Sequence, residues 1–78
     1  MSDYRMDIKG LIGLNEYSNI YDYLGIVESY DNFTITLDKG NEQEINIINS
    51  MLRSNKFYIY EEGYNNYGEY HINAYKMK

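Results

Sequence analysis

At 78 residues, with no Cys, no Pro, no Trp and a single His, the chain is expected to form one domain over residues 1–78, with neither a disulfide nor a Cys/His metal site to staple it. Twelve acidic against seven basic side chains leave a formal charge of −5, which disfavours a phosphate backbone as partner. Apolar runs such as Leu11-Ile12 and Ile47-Ile48 fall far short of the roughly 20 residues that span a bilayer, and no basic–apolar–small pattern marks a secretory leader.

These observations, with the absence of Cys, lead to the expectation of a cytoplasmic protein with no membrane partner. Eleven Tyr, ten Asn and ten Ile stand beside one Ala and one Val. The abundant types have A+T-rich codons, so codon bias accounts for much of that content. It does not account for the acidity, because the same bias favours Lys, and there are only five.

In chain order, Met6 to Ile12 is read as an edge strand weakened by Gly10 and Gly13. Tyr17, Ile20, Tyr21 and Leu24 then recur at helical spacing, which predicts a second, short helix near 15–24 capped by Asn15 and stopped by Gly25. A rival reading runs a strand from Ile20 to Ser29. Leu24 to Ser29 and Phe33 to Asp38 are taken as a hairpin turning at Tyr30-Asp31-Asn32, with Phe33, Ile35 and Leu37 on the core face and Thr34 and Thr36 opposite.

The best-defined element is a helix over 42–54. Asn41 is its N-cap, Glu44 completes a capping box, and Ile45, Ile48 and Leu52 form one apolar stripe. Asn55 is the expected left-handed terminator. Lys56 to Glu61 and Glu69 to Lys76 are two further strands. Phe57, Ile59, Tyr70, Ile72 and Ala74 face the core in this reading, and Tyr58, Tyr60, His71, Asn73 and Tyr75 face away. The fold class is therefore α+β: a small antiparallel sheet of four to five strands packed on one main helix.

Catalytic signals are weak. His71 lies mid-strand with no serine on a strand–elbow–helix turn to serve. Glu61 and Glu62 are adjacent on a strand and so point to opposite faces. Asp38, Glu42 and Glu44 read as turn and cap chemistry, and Gly40 takes the third position, where a calcium loop needs an oxygen ligand. Gly10-Leu11-Ile12-Gly13 has the outline of an RNA-clamping loop without any surrounding basic residues. No enzyme activity, cofactor or metal is expected.

The segment from Tyr58 to Tyr75 invites a binding reading. Tyr58, Tyr60, Tyr64, Tyr67 and Tyr75 are the candidate anchors, and Glu61, Glu62 and Glu69 the charged complement. A core this small cannot bury eleven tyrosines, and an exposed tyrosine offers large contact area at little rotamer cost. In size, acidity and composition, though not in any motif, the chain resembles small phage-encoded inhibitors of host defence, some anti-CRISPR proteins among them. That resemblance implies a nucleic-acid mimic, a stoichiometric inhibitor that occupies a basic, nucleic-acid-binding surface of a host protein. Direct nucleic-acid binding is not expected. The alternative is a structural module that self-associates, as a homodimer or larger assembly, through its tyrosine-rich face.

Overall fold

The computed structural model describes residues 3–10, 12–38 and 41–77. Six elements follow one another: β1 (Asp3–Ile8), α1 (Leu14–Ile26), β2 (Asn32–Leu37), α2 (Glu42–Ser54), β3 (Phe57–Tyr64) and β4 (Tyr70–Lys76). The four strands form one sheet in the order β1-β2-β4-β3. β1 pairs with β2 in parallel, and the other two pairings are antiparallel. The sheet is thus mixed rather than antiparallel, and it carries two helices of 13 residues each rather than one main helix.

Ile20 and Leu24 of α1 and Ile45, Ile48 and Leu52 of α2 are buried in one cluster with Phe33, Ile35, Leu37, Ile72 and Ala74. Both helices therefore lie on the same side of the sheet, the side that receives the inward half of each strand's alternation. The molecule is a two-layer α+β sandwich with one sheet face left open.

α2 has the bounds and the cap that its sequence predicts. Asn41 Oδ1 accepts the Glu44 backbone N–H at 2.8 Å, and Glu44 Oε1 accepts the Asn41 N–H at 3.4 Å. Its termination differs by one position. Asn55 has φ −103°, and Lys56, at φ 68°, takes the left-handed conformation. Asn55 instead turns its side-chain amide onto the Met51 carbonyl at 2.7 Å, satisfying an end group of the helix.

The region before β2 corrects the predicted hairpin. Leu24 to Ser29 is not a strand, since α1 runs through Gly25 to Ile26. An alternating strand puts Leu24 and Ile26 on one face, yet Leu24 is 1% exposed and Ile26 is 59% exposed. Val27, three residues beyond Leu24, is buried with it, so the period here is helical. The start also moves: Gly13, not Asn15, is the N-cap, and Glu16 Oε1 accepts the Gly13 N–H at 2.8 Å.

With a helix between them, β1 and β2 are joined by a crossover, the connection that parallel neighbours require. The predicted Met6–Ile12 strand is correspondingly displaced to Asp3–Ile8. It ends before Gly10, which has φ 77° and donates its N–H to Asp38 Oδ1 at 2.7 Å. Of the turn-and-cap set, Lys39 and Gly40 lie outside the described residues, as does Leu11 of the Gly-x-x-Gly stretch.

Candidate functional site: the open face of the sheet

The open face is organised in rows that follow from the strand registers. One row carries Asp3, Asn32, Tyr75 and Tyr58, the next Arg5, Thr34 and Asn73, and a third Asp7, Thr36, His71 and Gly63. On β3 the register slips between Ile59 and Glu61, so Tyr60 and Glu61 together oppose Asn73. This is a β-bulge, and it decides which side each later residue of β3 faces.

At one end of the face the tyrosines cluster. Tyr58 and Tyr60 flank Tyr75, with ring centroids 5.4 Å and 6.0 Å from it. Tyr58 and Tyr60 are each half exposed, and the Tyr60 hydroxyl reaches Asn32 Oδ1 at 3.5 Å. Beside the rings runs a polar chain across three strands. Thr34 Oγ1 donates to Asn73 Oδ1 at 2.9 Å, and Asn73 Nδ2 donates to Glu61 Oε1 at 2.8 Å. His71 Nε2 lies 3.3 Å from the same carboxylate oxygen. Glu61 is thereby held in place next to an aromatic surface, with its charge on an uncovered face.

Of the eight residues singled out in the sequence, this face brings together Tyr58, Tyr60, Glu61 and Tyr75. It does not hold the others. Glu62 and Tyr64 fall on the helix side, where Glu62 Oε1 accepts from Asn49 Nδ2 of α2 at 2.9 Å and Tyr64 packs edge-on to Tyr70 at 4.8 Å. Tyr67 sits on the β3–β4 turn, 90% exposed. Glu69 serves that turn, with its Oε1 accepting from Asn65 Nδ2 at 2.9 Å. Glu61 and Glu62 point to opposite faces, as neighbours on a strand do, so they form no carboxylate pair.

The sequence-based site omitted Asn73 and His71, which hold Glu61, and Thr34 and Asn32 of the central strand. The alternation of β2 already places Thr34 on the outer face. Only the β2–β4 pairing, which the sequence does not display, makes it a neighbour of Asn73.

Among the described residues, no group of three or more His, Asp and Glu side chains is placed to hold a metal ion, and no helix is long and apolar enough to cross a membrane. Comparison with family models, with curated proteins and with solved structures finds no match to this chain. Function has to be read from the face itself.

Proposed function

We propose that this protein is a non-enzymatic binding module, a small acidic inhibitor or modulator that docks the open face of its sheet onto a basic surface of a partner protein. One observation carries the reading. Among the described residues nothing covers one face of the sheet, and that face sets three clustered tyrosines beside a carboxylate fixed by Asn73 and His71. Rigid aromatic anchors next to an oriented charge are what a specific protein interface needs, since the rings supply desolvated contact and the charge steers encounter. The size, acidity and composition shared with phage-encoded inhibitors of host defence agree with such a role. A nucleic-acid ligand fits less well, because phosphates approaching these rings would meet Asp3 and Glu61.

The self-associating alternative draws on the same uncovered face and on two sheet edges, β1 and β3. The edge route is weakened by the bulge in the middle of β3, a common device against strand-to-strand pairing. Sedimentation across a hundredfold concentration range separates the readings: a monomer throughout is expected, and a dimer held by the tyrosine face would favour self-assembly.

The direct test is a tagged pull-down from nuclease-treated bacterial lysate, run in parallel with the Tyr58→Ala/Tyr60→Ala double variant. A protein recovered near one-to-one by the parent chain, released by high salt and lost with the variant, is the expected result. Equal recovery by both would overturn the assignment of the face.

A further inference from the structure

On the helix side of the sheet, between α2 and the end of the β3–β4 hairpin, lies a groove of about 460 Å³ lined by Glu42, Ile45, Asn46, Asn49, Glu62, Tyr64 and Tyr70. Its charge is one-sided. Asn49 is only 6% exposed. Its amide nitrogen donates one of its two N–H groups to Glu62 Oε1, while its Oδ1 has no hydrogen-bond partner. The Tyr70 hydroxyl donates its single proton to Glu62 Oε1 at 2.6 Å. Two donors on one oxygen fix the Glu62 carboxylate and turn its charge toward the groove. Glu42, on the first turn of α2, adds a second carboxylate, and among the described residues neither Lys nor Arg lines the space.

A buried acceptor without a donor costs on the order of 1–3 kcal/mol, so a side-chain shift that opens Asn49 Oδ1, which lies below the surface, to a ligand N–H recovers part of that cost. An anion would meet the two carboxylates of Glu42 and Glu62. A cation fits, and one that is planar and rich in N–H groups fits best, because carboxylate, amide oxygen and tyrosine rings are all within one groove.

We infer that this groove is a socket for an arginine side chain presented by the partner protein. Glu62 takes one edge of the guanidinium, Asn49 Oδ1 takes a further N–H, and one of the Tyr64 and Tyr70 rings, which stand at 73° to each other, covers its flat face. The inference rests on the reading of this protein as a binder of basic surfaces. It also extends that reading around the β3 edge, since Glu61 on the open face and Glu62 in the groove are consecutive residues of an edge strand.

The test needs no knowledge of the partner. The full chain, isotopically labelled, is titrated with acetyl-Gly-Arg-Gly-amide and with its Lys counterpart, following backbone and Asn side-chain amides by NMR. A saturable response confined to Asn49, Glu62, Tyr64 and Tyr70 is expected for the Arg peptide. The Lys peptide should bind several-fold more weakly. Glu62→Gln keeps an oxygen for Asn49 and Tyr70 but removes the charge, and should weaken the Arg peptide by about tenfold, the usual reach of one charge-assisted bond. Tyr58→Ala/Tyr60→Ala should leave it unchanged, so failure of the open-face reading and failure of the socket are told apart. Unsaturable shifts spread over Glu16, Asp22 and Glu28 as well would overturn the socket. So would an unaltered response in Glu62→Gln, or equal affinity for the Lys peptide.

Discussion

Replacing Leu24 and Ile26 one at a time by alanine tests the course of the chain where helix and strand readings compete. Leu24 lies in the core and Ile26, two residues on, is exposed at the end of α1. Buried Leu→Ala substitutions cost about 2–5 kcal/mol, from lost transfer energy and the cavity left behind. A domain of this length has a total stability of about 4–12 kcal/mol, so Leu24→Ala at about 3 kcal/mol removes a large share of it. At roughly 4–8 °C per kcal/mol for a small domain, the melting midpoint should fall by about 12–24 °C. Ile26→Ala loses no core contact and gains helix propensity, and should stay within about 0.5 kcal/mol of the parent. Thermal melts followed by far-ultraviolet circular dichroism read both. Equal losses at the two positions, which an alternating strand demands, would refute the helical assignment.

Three further outcomes follow from the structure. Asn41→Ala removes the cap of α2 and should cost about 1 kcal/mol in urea unfolding, whereas Asn41→Asp should be nearly neutral. The Tyr70 phenol is pushed up to about 12, first by burial and then by its hydrogen bond to Glu62 and the charge there. Because its unfolded value is near 10.0, it contributes stability fully present below pH 10 and lost as pH rises toward 12; Glu62→Gln should bring the Tyr70 ultraviolet titration part of the way down, since burial persists. Glu61→Lys should slow association with a basic partner and flatten its salt dependence, while Glu69→Lys, whose carboxylate serves the hairpin turn, should change association far less.

Local signals were legible and non-local ones were not. The bounds of α2 come from a cap and an apolar stripe that are both contained in its own residues, and β2 and β4 display an alternation that needs no partner to be seen. Leu24 and Ile26 satisfy a strand pattern and a helix pattern at once. Which wins depends on whether Val27 joins the core, and that is a tertiary fact. The parallel pairing of β1 with β2 follows as soon as residues 14–26 are a helix, because a crossover returns the chain in the same direction. Reading 24–29 as a strand therefore shortened the second helix and hid the sheet's topology. The candidate site fared in the same way. Tyr58, Tyr60, Glu61 and Tyr75 share a face, but the sequence has no mark for the slip that sends Glu62 and Tyr64 to the other side.

That slip also decides which of two consecutive carboxylates faces the helices. With Phe57 and Ile59 facing inward, strict alternation would turn Glu61 toward the helices and bring it opposite Ile72. The bulge places Tyr60 and Glu61 together on the open face, and Glu62 becomes the residue opposite Ile72. Glu62 is tolerated there because β3 is an edge strand that leaves its side chain exposed to water, and Asn49 and Tyr70 supply hydrogen bonds. One extra residue thus puts Glu62 rather than Glu61 on the helix side, within reach of Asn49 and Tyr70, and gives each side of the edge strand a fixed carboxylate beside tyrosine rings. Deleting Tyr60 should therefore preserve the flanking pairings, because Glu61 remains opposite Asn73, while removing one ring from the open face. Inserting a residue after Ile59 has no such outlet and should destabilise the β3–β4 pair.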